Sequence, residues 1–201
     1  TVPEYLRVQS NPYMGDEDLS VDRYVSPEFF KEEKEKLWPK TWQMACREED
    51  IPESGDHFVY WIIDRSVIVT RTPSGEIKGF INSCRHRGRC LRDESGSVDK
   101  FRCPFHGATW DLDGQFKGIP NDWDFEHIAD RDMSLPQVKV ATWGGFVFIN
   151  FDLDCQPLED YLDVLPQHFD RFPLEKYFKA VHVQRVMNCN WKVGAEAFME
   201  S

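Results

Sequence analysis

Cys84-Arg85-His86-Arg87-Gly88 and Cys103-Pro104-Phe105-His106-Gly107 are the two stretches on which this chain turns, with sixteen residues (87–102) between His86 and Cys103. They pair a thiol with an imidazole twice, as C-x-H and as C-x-x-H, and a glycine follows each pair closely. Two thiolates and two imidazoles can hold one zinc, or a two-iron cluster in which histidines replace two of four cysteines and raise its potential. Structural zinc sites usually group like with like, as C-x-x-C and H-x-x-x-H. Here each half carries one Cys and one His, as needed when two loops must each supply one ligand to each of two irons. Both glycines, and the proline after the second Cys, argue against a chance collection of core residues.

Working outward, residues 42–152 read as short strands with Gly and Pro punctuation. Ser66–Arg71 and Ile77–Asn82 flank Pro73-Ser74-Gly75, a hairpin signal. Asp113-Gly114 lies between Thr109–Leu112 and Gln115–Phe116, a second one. Gly144-Gly145 introduces a strand at Phe146–Phe151. Such a pattern predicts an antiparallel sandwich or small barrel, with the Cys/His pairs on two loops that face one another at its tip.

Upstream, the first twenty residues predict an extended arm. Ser26-Pro27-Glu28 then opens a helix, with Phe30, Leu37 and Trp38 on one face and Pro39 as its stop. Downstream, residues 157–172 predict a short helical linker, and the alternation of Ala180–Val186 predicts a strand. Asn190 caps a helix that runs to the last residues, as if a further domain begins there.

The net charge of −11 argues against nucleic acid and anionic membrane as partners. There is no apolar run long enough to span a bilayer and no secretory leader, so a cytoplasmic location is expected. Of six cysteines, Cys46, Cys90, Cys155 and Cys189 lie outside the metal motif. They show no paired spacing and are expected to be reduced and mostly buried. His57, His127, His168 and His182 are scattered and expected to be structural or surface residues.

Taken together, CRHRG and CPFHG resemble the Rieske domain of the large (α) subunit of bacterial Rieske non-haem iron oxygenases, the aromatic-ring-hydroxylating family. SPEFFKEEKEKLWPKTW is similar to that family's lead helix, WGGFVFINF to its closing strand, and NWKVGAEAFMES to the start of its catalytic domain. The resemblance implies a mainly β Rieske fold of short antiparallel strands with two cluster loops, plus an N-terminal helix and the start of an α+β catalytic domain. It divides the chain into arm and lead helix (1–41), [2Fe-2S] domain (42–155), and linker with the start of the catalytic domain (156–201). It also implies Cys84 and Cys103 on one iron, and His86 and His106 on the other.

The respiratory type of Rieske protein would carry extra cysteines at Arg89 and Phe105, and hydroxyl donors at Ala108 and Trp110. All four places differ, which predicts a potential in the lower part of the roughly −150 to +300 mV Rieske range. A stand-alone soluble Rieske ferredoxin is the alternative, but such carriers need neither the lead helix nor the segment after Pro157.

By the same resemblance, Glu200 is the acid that bridges a cluster histidine to an iron-ligand histidine of a neighbouring subunit. Lys192 and Glu196, on the same helix face, read more simply as a solvent-facing charge row. A mononuclear Fe(II) is implied for the whole subunit, with ligands outside this chain, so the chain alone is expected to be inactive as an oxygenase. The implied partners are a ferredoxin or NAD(P)H-dependent reductase, other α subunits in a trimer with or without β subunits, O2 and a small aromatic substrate. Arg85, Arg87, Arg89, Arg92, Lys100 and Arg102 crowd the cluster loops; they either satisfy loop carbonyls or meet acids on a neighbouring subunit, or form a docking patch for an acidic ferredoxin or reductase.

Overall fold

The computed structural model describes residues 17–125, 128 and 131–199. These fall into two compact units: the described residues up to Glu32 together with those from Arg185 on, and Glu33–Gln184.

The larger unit is built on antiparallel strands. Among the described residues ten are present: β1 (Gln43–Arg47), β2 (Asp56–Ile62), β3 (Arg65–Arg71), β4 (Ile77–Ile81), β5 (Gly96–Ser97), β6 (Phe101–Arg102), β7 (Thr109–Trp110), β8 (Phe116–Gly118), β9 (Gln137–Trp143) and β10 (Phe146–Asn150). Seven form one sheet in the order β1-β10-β9-β4-β3-β2-β5, and β6-β7-β8 form a second. The expected mainly β architecture is thus present.

β3 explains how the two layers share a core. Its run Val67-Ile68-Val69-Thr70 is fully buried on both faces, which is why it reads as a continuous apolar stretch and not as an alternating one. Because successive side chains point to opposite faces, Ile68 enters one cluster with Phe80, Cys84, Phe101, Cys103 and Trp110. Val67 and Val69 enter another with Ile51, Val138, Val147 and Ile149. The first core lies under the Cys/His loops; the second fills the far side of the sheet. Gly79 lets β4 and β9 close on that side, since a Cβ there would lie 2.5 Å from a Val138 methyl.

The β3–β4 hairpin has the expected register, with Val67 opposite Ile81 and Arg71 opposite Ile77. The second hairpin is shorter than expected. Asp111 leaves the strand because its carboxylate accepts from the Asp113 and Gln115 amides, making a side-chain-closed turn. Gly114 sits at φ +78 in that turn, pressed on the Phe80 ring.

Other expectations need correction. Ser26 does cap its helix, accepting from the Phe29 amide at 3.2 Å. The regular α-helix, however, covers only Pro27–Glu32, and Glu33–Leu37 form a π-type turn in which the Trp38 amide reaches the Glu33 carbonyl at 3.1 Å. The widened turn precedes Pro39, which has no N–H with which to continue the ladder. Residues 157–172 contain two short helices, Leu158–Leu162 and Leu165–Phe169, broken at Asp163 with φ +50. Leu158 and Leu162 pack with Trp42, whose indole donates to the Gln156 carbonyl at 2.9 Å.

Ala180–Val186 is not a strand. No partner strand lies beside it among the described residues, and Val181, Val183 and Val186 are 78%, 73% and 98% exposed. Alternation prepares a segment for pairing but does not supply the partner. Of the four cysteines outside the metal motif, only Cys46 is buried; Cys90 and Cys155 are half-buried and Cys189 is exposed. All are free thiols, and burial pushes Cys46 up to about 12, so it stays protonated.

In the smaller unit, helices Asp22–Val25, Pro27–Glu32 and Trp191–Glu196 come together. Asn190 caps the last of these by accepting from the Lys192 amide at 2.9 Å, as expected, and its own amide donates to the Tyr24 carbonyl. Lys192 and Glu196 are not a solvated charge row. The Tyr24 phenol donates to both Glu196 oxygens at 2.9 and 3.0 Å, and the Lys192 ammonium sits 5.0 Å from the Phe29 ring centre. Among the described residues, no helix is long and apolar enough to cross a membrane.

Candidate metal centre

The two Cys/His stretches fold into loops with the same backbone bonding. In the first, the Cys84 amide donates to the Arg89 carbonyl at 2.8 Å and the Gly88 amide to the Cys84 carbonyl at 2.9 Å. In the second, Cys103 donates to Ala108 at 2.8 Å and Gly107 to Cys103 at 3.0 Å. Each loop thus runs from a cysteine to its fifth following residue, with a left-handed glycine at the fourth: φ is +71 at Gly88 and +79 at Gly107. That conformation suits glycine because no Cβ meets the following carbonyl. The pattern explains the glycine after each pair, and why the histidine can sit at either the second or the third place.

Different supports hold the two loops. The first leaves β4, and its return limb is tied down by Asn82, which is 3% exposed. Asn82 Oδ1 accepts from the Leu91 and Arg92 amides at 2.9 and 3.0 Å, and Nδ2 donates to the Arg92 carbonyl and Ser66 Oγ at 2.6 and 3.1 Å. The second loop joins β6 to β7, where the fully buried Phe101 and Trp110 stand opposite one another. Trp110 Nε1 donates to the Met133 carbonyl at 2.7 Å. Pro120 closes on Gly107 so tightly that a Cβ there would lie 2.8 Å from the proline ring.

The four donors are sorted by depth. Cys84 and Cys103 are 5% and 2% exposed and belong to the core under the loops, whereas His86 and His106 are exposed. The two Nδ1 atoms lie 3.2 Å apart. Two imidazole nitrogens at that distance can both ligate one metal at about 2.1 Å. Phe105 stacks on His106 with ring centres 3.9 Å apart, holding its plane. Burial pushes the Cys84 thiol up, so its thiolate requires a cation beside it.

Among the described residues, no three Cys, His, Asp or Glu side chains converge on a single point. A lone zinc needs four converging ligands; the donors here come as a buried sulfur pair and an exposed nitrogen pair. Two thiols and two imidazoles sorted into pairs are a donor set that fits a two-iron cluster.

The basic residues near the loops divide by role. Arg89 pairs with Asp93 at 2.9 Å, and Arg92 Nε donates to His57 Nε2 at 3.1 Å. Arg87, Lys100 and Arg102 are exposed and make no ion pair among the described residues. His57 is a structural residue, 1% exposed and edge-on to Phe101 at 5.9 Å. Burial lowers its basicity, and the Arg92 charge lowers it further. Asn82, the Arg92–His57 pair and the Trp110–Met133 bond are supports that motif reading does not reach, since none has a fixed spacing from the ligands. Glu200 and His127 lie outside the described residues.

Comparison with known proteins places this geometry. The Rieske [2Fe-2S] domain family matches residues 41–130. The α subunit of biphenyl 2,3-dioxygenase from Rhodococcus jostii (strain RHA1) is 32% identical over 181 residues, covering 87% of this chain and 39% of that protein. The quaternary ammonium Rieske monooxygenase CntA, solved with L-carnitine, aligns at TM-score 0.83 and 27% identity over 90% of this chain and 52% of that one. Naphthalene 1,2-dioxygenase from a Rhodococcus species aligns at TM-score 0.77 and 34% identity, over 86% and 41%. The chain spans about two fifths of the length of the curated relatives it matches. The paired loops, the depth-sorted donors and these matches together mark residues 41–130 as a Rieske [2Fe-2S] domain, in a chain similar to part of the Rieske oxygenase α subunits.

Proposed function

We propose that Cys84 and Cys103 hold one iron of the cluster and His86 and His106 the other, and that this domain is the electron entrance of an oxygenase subunit. The supporting observation is the separation of a buried sulfur pair from an exposed nitrogen pair with facing Nδ1 atoms 3.2 Å apart. When bound, the cluster supplies one-electron transfer. The chain's own residues do the rest: the core around the cysteines excludes water, and the exposed imidazole edges give partners a short path to the metal. In this reading, electrons from NAD(P)H arrive through a reductase or ferredoxin. They leave for a mononuclear iron held by an adjacent subunit, where O2 would be used to hydroxylate a small organic substrate, most simply an aromatic one. Arg87, Lys100 and Arg102 are the cations available to steer an acidic donor.

The environment of the sulfurs favours a potential in the lower part of the Rieske range. Ala108 offers no side-chain donor, and the single N–H of the Trp110 side chain is committed to Met133. Dithionite-reduced protein should give the rhombic electron paramagnetic resonance signal of a Rieske centre, and His86→Cys should convert it toward an all-cysteine type. A spectrum of one mononuclear metal would refute the assignment, and a midpoint near the top of the range would refute the account of its tuning. Glu200 is proposed as the bridge to the next subunit; Glu200→Gln should leave the cluster signal intact and abolish turnover of the whole subunit.

A further inference from the structure

At the end of the sheet opposite the cluster loops, the chain leaving the Rieske fold is gripped by one side chain. Arg47, the last residue of β1, donates through its guanidinium to the Leu174 and Tyr177 carbonyls at 3.2 and 2.5 Å and to Glu49 at 3.1 Å. The same group lies 4.6 Å from the centre of the Phe146 ring. Glu49 in turn accepts from the Lys179 amide at 2.7 Å, and the Lys179 ammonium pairs with Asp50. The β9–β10 turn is shaped to admit this segment. A Cβ at Gly144 would lie 3.1 Å from Leu174, and one at Gly145 3.3 Å from the Glu175 backbone and 3.0 Å from Arg47 itself. Gly144 and Gly145 therefore form a seat, and Arg47, Glu49 and Asp50 form the clasp over it.

Beyond Lys179 no helix or strand follows until Trp191. Residues 180–186 have no regular structure and their valines are exposed, whereas residues 174–179 are bonded to the Rieske fold at this clasp. It lies the length of the seven-residue β9, ~20 Å, from the end where β4 passes to the first cluster loop. Cluster chemistry and chain exit are thus separated in space.

We propose that Arg47 is a positioning residue: by clasping residues 174–179 into the Gly144-Gly145 seat it sets where the chain leaves the Rieske fold, and so how the cluster is presented to the iron it serves. This rests on the reading that electrons leave the cluster for a mononuclear iron held by an adjacent subunit. An arginine is required because one planar fork serves two carbonyls, a carboxylate and an aromatic face at once, which an ammonium cannot do.

The test pairs Arg47→Lys with Arg47→Ala in cluster-loaded protein; the lysine variant keeps charge and stem if the alanine variant folds poorly. Amide exchange at Tyr177 and Lys179 should quicken at least tenfold in both, while the g-values and midpoint potential of the cluster stay at wild-type values. In the intact oxygenase subunit, oxidation of the pre-reduced cluster during a single turnover should slow at least tenfold. Unchanged exchange would show that Arg47 does not hold the segment. Faster exchange with unchanged oxidation would show that the clasp does not position the cluster. A different failure, wild-type protein whose reduced cluster passes no electron to a second iron, would instead remove the reading on which the inference rests.

Discussion

The two cluster loops share one backbone design and rest on different foundations. Both run from a cysteine to its fifth following residue with a left-handed glycine at the fourth. Yet the first is held by the amide of one buried asparagine, and the second by a strand pair, an indole bond and a proline. Loop shape is therefore local, written in Cys-to-Gly spacing, while loop placement is tertiary and can be achieved in unrelated ways. The practical result is that the first loop gathers most of its hydrogen bonds on one side chain, with the Arg92–His57 pair beside it, and the second distributes its support.

That asymmetry can be broken most sharply at Asn82. Asn82→Leu is close to the same size but leaves the Leu91 and Arg92 amides and the Arg92 carbonyl without partners in a buried place. A loss of about 3 kcal/mol or more is expected, at roughly 1–3 kcal/mol for each stranded group. Thermal unfolding should show it, together with poor cluster incorporation; a variant of wild-type stability would remove Asn82 from its role.

The glycines sharpen the comparison. Gly107→Ala meets both a strained φ and the Pro120 ring, whereas at Gly88 the nearest neighbour of a Cβ is Ser83 Oγ at 3.7 Å. Gly107→Ala should cost about 2–3 kcal/mol and Gly88→Ala about 1–2 kcal/mol, strain alone accounting for the latter. Equal losses in denaturant titrations would mean the two foundations do not differ. Trp110→Phe keeps the buried ring but strands the Met133 carbonyl, for about 1–2 kcal/mol. It should leave the midpoint potential in place, since the lost N–H points to Met133 and not to a cysteine.

The smallest effect concerns pH. His57 is neutral in the fold, with Nε2 accepting from Arg92 and Nδ1 facing the Gly55 carbonyl. Its basicity is lowered from the ordinary value of 6.5. The unfolded chain therefore takes up the proton first as pH falls, so stability is complete above 6.5 and declines below it until the folded state also protonates. The slope is at most about 1.4 kcal/mol per pH unit. His57→Gln should flatten this decline in urea midpoints between pH 7 and pH 5; an unaltered slope would assign it to other groups.

What was legible beforehand follows the same division between local and tertiary. The β3–β4 hairpin, the β10 strand and the Ser26 and Asn190 caps are specified by neighbours within a few residues, and each is found where its pattern predicts. The supports of the site were not legible. Asn82 follows a strand with no signal that its amide will fold back, and Arg92 gives no hint that it will meet His57 across thirty-five positions. Ala180–Val186 failed in the opposite sense: a strand pattern was present, but pairing requires a partner that no residue within the segment can provide. Lys192 and Glu196 likewise read as solvent-facing because their partners, Phe29 and Tyr24, lie far upstream.

The double-sided burial of β3 has a consequence for protein design. Because Ile68 serves the core beneath the cluster while its neighbours Val67 and Val69 serve the opposite one, the loops are not a detachable cap. A single-residue deletion within this strand would not simply weaken the fold; it would transpose the two interiors, turning valines toward the sulfurs and the isoleucine away. Anyone grafting these loops onto another scaffold must therefore carry β3 along with them, in register.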